Sequence, residues 1–151
     1  MVLASNVENL FLLHSTVKYN DGTEVPLEKI VEQIPKVKSI TLHFPPATSM
    51  ITSQTMKELC EIPHFATLES IIFKEIPESF NLASFCSYMK KNKLTYIILG
   101  FCDSISEGYK VQLEEIVDGI LEAQTREYII PNINFPGLDA EKYQKLLDFY
   151  K

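Results

Sequence analysis

A short apolar pattern recurs four times along this chain. It has the form apolar-x-x-apolar-x-apolar: Val7, Leu10, Leu12; Val37, Ile40, Leu42; Leu68, Ile71, Phe73; and Leu94, Ile97, Leu99. Successive starts are 30, 31 and 26 residues apart. A fifth, degraded copy is read around Tyr128-Ile129-Ile130. The segments between copies have helical periodicity. A strand plus a helix, repeated every ~20–50 residues, marks a stack of βα units. The predicted fold is therefore α/β: a leucine-rich-repeat-like open array with a parallel sheet and helices on one face. Residues 1–151 form one domain in this reading, with units starting near 7, 37, 68, 94 and 127.

The intervening polar and breaker residues place the elements. Thr16 to Tyr19 has β-type composition and runs into the turn signal Asn20-Asp21-Gly22, residue types that tolerate or supply positive φ. Pro26 suits a first helical turn, and Leu27, Ile30, Val31 and Ile34 lie on one helical face before Pro35 stops it. Thr52 or Ser53 is placed to cap a second helix with Met56, Leu59, Cys60 and Ile62 inward, ended by Pro63. Asn81 is placed to cap a third, with Leu82, Phe85, Cys86 and Met89 inward and Lys90, Lys91 and Lys93 at its negative pole. Ser104-Ile105-Ser106-Glu107 fits a capping box opening the longest helix, to about Gln124. Val111, Leu113, Ile116, Val117, Ile120 and Leu121 are its expected core face. Asp139 caps a last helix carrying Tyr143, Leu146, Leu147 and Tyr150.

Alternation along a strand then sorts the side chains into two faces. Leu42, Phe73 and Leu99 point to the helices, and with Ile116 they are expected to be buried. The residues between them form rows on the open face: Phe11, Thr41, Ile72, Ile98; Asn9, Ser39, Ser70, Tyr96; and Leu13, His43, Lys74, Gly100. Large apolar side chains on a wet face mark a partner surface or a covered one. Phe11, Ile72, Tyr96 and Ile98 are the candidate partner-binding residues.

Composition narrows the function without naming it. Apolar residues are 46% and charged ones 23%, enough apolar side chains for a core. A net charge of −6 speaks against nucleic acid, where a basic stripe is expected. Cys60, Cys86 and Cys102 make an odd set without C-x-x-C spacing, which fits buried free thiols in a reducing compartment rather than a disulfide framework. No 18-residue apolar run is present, and the N-terminal stretch lacks the basic region of a secretory signal, so no membrane partner is expected.

The search for chemistry finds no active-site motif. There is no glycine-rich phosphate loop, no G-x-S-x-G and no H-E-x-x-H. His14 and His43 fall on adjacent strands, but alternation sends them to opposite sides, which argues against a shared metal. Cys102 follows a strand near a helix N-terminus, where a thiolate is favoured, yet Asp103 beside it disfavours one. Glu114, Glu115 and Asp118 read as the solvated face of a helix. No catalytic residue, metal or cofactor is assigned.

Taken as a whole, the chain resembles the C-terminal regions of large nematode families of F-box-associated (FTH-like) proteins. The resemblance lies in the stretches KYNDGTEVPLEKIVEQIPKVKSITL, ITSQTMKELCEIPHFATLESIIF, IPESFNLASFCSYMKKNK, ISEGYKVQLEEIVDGILEAQ and INFPGLDAEKYQKLLDFYK, spanning about Lys18 to Lys151. It implies divergent leucine-rich βα repeats that choose the substrate of a ubiquitin ligase, while an F-box grips the Skp adaptor. The first repeat begins near residue 7 with no F-box ahead of it, so Skp binding is not carried over to any residue here. The expected function is a cytoplasmic or nuclear protein-interaction module, related to substrate-recognition regions of F-box adaptors. The alternative is a small intracellular α/β enzyme with its site at the carboxyl ends of the strands, near His43, Lys74 and Cys102.

Overall fold

The apolar pattern becomes a parallel sheet. The computed structural model describes residues 6–149. Its elements run β1 (Asn9–Leu13), α1 (Leu27–Glu32), β2 (Ser39–His43), α2 (Thr55–Cys60), a 3-10 turn (Pro63–Thr67), β3 (Ser70–Ile76), α3 (Leu82–Lys91), β4 (Tyr96–Phe101), α4 (Glu107–Glu122), β5 (Asn132–Asn134) and α5 (Ala140–Asp148). The five strands pair in sequence order, β1-β2-β3-β4-β5, all parallel. Equivalent repeat positions stand side by side: Leu10↔Ile40, Ile40↔Ile71 and Ile71↔Ile97.

Each helix packs on the next, α1 on α2 through to α4 on α5. The inward strand residues Ile40, Leu42, Ile71, Phe73, Ile97, Leu99 and Ile133 share one buried cluster with helical side chains such as Val31, Leu59, Phe85, Leu113 and Leu146. The helices therefore cover one face, as the spacing predicts. Leu42, Phe73 and Leu99 are buried as expected, whereas Ile116 is only partly so.

Loops are stitched between neighbouring units by carboxylates. Glu24 accepts hydrogen bonds from Thr48 Oγ1 (2.9 Å), Ser49 N (2.6 Å) and Ser49 Oγ (2.9 Å). Burial alone would raise its pKa, but those donors outweigh it and hold the carboxyl below its usual range. Glu78 does the same two units later, accepting from Ser106 N (2.8 Å) and Ser106 Oγ (3.1 Å).

That second contact changes the start of α4. The N-cap is Ser106, whose Oγ accepts from Tyr109 N, and not Ser104. Ile105 is buried in the core, so the chain is anchored there before the helix begins. Glu78, not Glu107, then satisfies the cap's own N–H. Along α4, Tyr109, Leu113, Val117 and Ile120 face inward. Val111 lies halfway round the helix from Tyr109 and Leu113 and is exposed, against the expected core face. Tyr109 is fixed by its hydroxyl donating to Phe80 O at 2.7 Å.

The remaining elements follow their caps and breakers. Asn81 Oδ1 accepts from Ser84 N, and Asp139 Oδ1 accepts from Glu141 N and Lys142 N. α2 instead begins after Gln54 without a side-chain cap. Cys60 turns to its exposed flank, and Cys86 and Cys102 are half-buried, so the thiols are free but not buried. Tyr150 lies outside the described residues. Thr16 to Tyr19 forms a small antiparallel bridge, Lys18 to Glu24, around the predicted turn.

The fifth copy needed a register to be read. Leu99 pairs with Ile133, so counting back along the sequence from that pair aligns Pro131 with Ile97 and Tyr128 with Leu94. By that count the degraded copy lines up with Leu94 at Tyr128. Its central apolar position is a proline, which has no N–H for a ladder, so the strand begins only at Asn132.

Candidate binding surface on the open sheet face

Strand alternation fixes which side chains the sheet turns away from the helices. The central row runs Phe11, Thr41, Ile72, Ile98 and Asn132 across five strands. Ile72 and Ile98 are direct neighbours, and Tyr96 lies two residues before Ile98 on the same face. These three form a contiguous apolar strip, with Tyr96 37% exposed and both isoleucines partly accessible. Phe11 is 64% exposed, but Thr41 separates it from Ile72. The four candidates thus share one face without forming one patch.

Exposure falls across the sheet. β1, at one edge, shows Phe11 and Leu13 to solvent, while Asn132 on β5 is 6% exposed, its Oδ1 without a hydrogen-bond partner among the described residues. Asn132 was missed by the sequence reading. Its place in the row follows once Ile133 is aligned with Leu99. The row beside the strip is polar: Ser39 Oγ donates to Asn9 Oδ1, and Ser70 stands between Ser39 and Tyr96.

At the carboxyl ends of the strands, one expectation is overturned. His14 has φ of 53°, a left-handed backbone that breaks strand alternation at the end of β1. Its N–H donates to His43 O at 2.8 Å, and its ring meets the His43 ring edge-on with centroids 5.7 Å apart. The two histidines therefore lie together rather than on opposite sides. No third ligand joins them: among the described residues no group of three His, Cys, Asp or Glu could hold a metal ion.

Lys74 stands next to His43 in the register, and its aliphatic stem passes over Gly100, where an added Cβ would lie 3.2 Å from Lys74 Cδ. Cys102 lies beyond β4, its Sγ 3.2 Å from Ser104 Oγ. Just before it, β3 carries a bulge at Glu75, with φ of 59°. The extra residue lets Ile76, not Glu75, take the buried position opposite Phe101. His43 and Lys74 are brought together here, and Cys102 belongs to the following loop.

No helix among the described residues is long and apolar enough to cross a membrane. In comparisons with known proteins, no family model, curated protein or solved structure matches this chain.

Proposed function

We propose that this chain is a protein–protein interaction module built as a leucine-rich-repeat-like array, with the open sheet face as its binding surface. The observation that carries the reading is the contiguous strip of Ile72, Ile98 and Tyr96 on that face. Aromatic and aliphatic anchors beside a polar surround are what protein interfaces use, because desolvating them supplies the binding energy while the surround excludes water. Asn9, Ser39 and Ser70 provide that surround. Phe11 forms a second, separate anchor toward the β1 edge. The partner is a protein presenting apolar side chains to the strip, and no cofactor takes part. By its resemblance, the module is a cytoplasmic or nuclear substrate-recognition region related to F-box ubiquitin-ligase adaptors.

A photo-crosslinking residue at position 98 tests the surface, with position 111, exposed on α4, as the comparison. The expected result is a specific protein adduct from position 98 and none from 111. The same adduct from 111 alone would place the interface on the helices and reject the reading.

A further inference from the structure

The helical side of the molecule carries a feature that the sheet face does not explain. A cleft of about 520 Å³ opens between α2 with its 3-10 turn and α3. That volume lies in the range of roughly 300–1,000 Å³ typical of small-molecule sites. Its floor is aromatic: Phe65, fully buried, and Tyr88, half-buried, stand with ring centroids 5.3 Å apart. Its wall carries Lys57 from α2, Lys91 from the end of α3 and Lys93 from the loop beyond, against one carboxylate, Glu61. In a chain of net charge −6 this is a local excess of positive charge.

Among the described residues, lysines elsewhere on the molecule fall into two groups, and Lys74 and Lys90 are among those without an ion pair. Lys29, Lys38, Lys110, Lys142 and Lys145 each hold a carboxylate within 4 Å. Among the described residues Lys57, Lys91 and Lys93 form no ion pair, although Glu61 shares their cleft. Three ammonium groups against one carboxylate around an apolar floor suit a ligand that is apolar at one end and anionic at the other. The low-dielectric wall strengthens the attraction, and the aromatic rings take up the body.

We propose that this cleft binds a small organic anion, with an aromatic or aliphatic body against Phe65 and Tyr88 and a carboxylate, sulfonate or phosphate among Lys57, Lys91 and Lys93. The site is separate from the open sheet face, so the two readings stand or fall independently.

The probe is 1-anilinonaphthalene-8-sulfonate, an aromatic sulfonate whose fluorescence rises on leaving water. The folded protein should bind it saturably at one site. Lys57→Gln, Lys91→Gln and Lys93→Gln together should weaken binding by roughly tenfold, as expected for three solvent-screened charge contacts. Ala66→Phe, at an exposed position on the cleft wall, should block it sterically. N-phenyl-1-naphthylamine, the same ring system without the sulfonate, should bind at least as weakly as the probe binds the triple variant. Bound probe should also slow alkylation of Cys60, which lines the cleft, without slowing that of Cys102. Ile72→Asp with Ile98→Asp should leave all of this unchanged. Absence of saturable binding would overturn the proposal. So would binding that survives the lysine and Ala66 variants, or that is lost in an isoleucine variant shown to be folded, since the probe would then lie elsewhere.

Discussion

Two side chains decide most about this molecule at the scale of single residues. Leu99 sits fully inside the shared core between Phe73 and Ile133, so emptying it leaves a cavity that rigid strands cannot close. Leu99→Ala is expected to destabilise by about 2–5 kcal/mol in denaturant unfolding, and a loss below about 1 kcal/mol would mean the site is not packed. Glu28 is the opposite case, a carboxyl only 4% exposed on α1, facing Thr55 and Glu58 of α2. Desolvation first, and the Glu58 carboxylate after it, raise its pKa above the ordinary 4.5. The folded state therefore holds a proton that the unfolded chain releases, and stability should fall as pH rises from about 4.5 through the raised value. Glu28→Gln should stabilise the protein at neutral pH and flatten that slope. Unfolding midpoints from pH 4 to 8 check it; a destabilised variant with an unchanged slope would contradict it. Periodicity foretold Leu99. It could not foretell Glu28, because the first turn of an amphipathic helix tolerates an acid in water and only the packing of α2 against α1 removes the water. His14 escaped for a related reason: alternation holds only while the backbone stays extended.

At the scale of elements, the strands were legible because each repeat carries its inward residues at fixed spacing, and the sheet registers them in the order the pattern implies. Two starts were not. β5 is displaced by Pro131, whose missing N–H delays the ladder, and α4 is displaced by Ile105, whose burial delays the helix. Leu94 is a third departure: it is exposed, because the Asn92 amide donates to Thr95 O and the Thr95 hydroxyl bonds Leu68 O, putting Thr95 into the buried place instead. The cap of α4 gives a test at this scale. Ser106→Ala should cost about 0.5–2 kcal/mol, the range for losing an N-cap side chain. Glu78→Gln should cost part of the same energy, since both side chains serve one contact, and the double variant should lose less than the sum. Strict additivity in a double-mutant cycle would show that Glu78 does not act through the cap.

At the scale of the whole molecule, order and direction of the sheet follow from short connections between units, and so does the division into a covered face and an open one. The open face was readable as a set of positions. Its continuity was not, since Thr41 interrupts the row and only the register shows Ile72, Ile98 and Tyr96 meeting. The helix-side cleft was invisible, because α2 and α3 contribute lysines from positions more than thirty residues apart. The central claim is that the open face is free of the molecule's own core and available to a protein partner. Ile72→Asp combined with Ile98→Asp tests it most directly, read as partner capture by a variant whose unfolding midpoint is measured in parallel. The account predicts a fold within about 2 kcal/mol of the parent, the scale of residue preferences on a half-exposed strand face, and complete loss of the captured partner. A variant that unfolds, as a core position burying an unpaired carboxylate would require, or one that folds and still captures its partner, would contradict it.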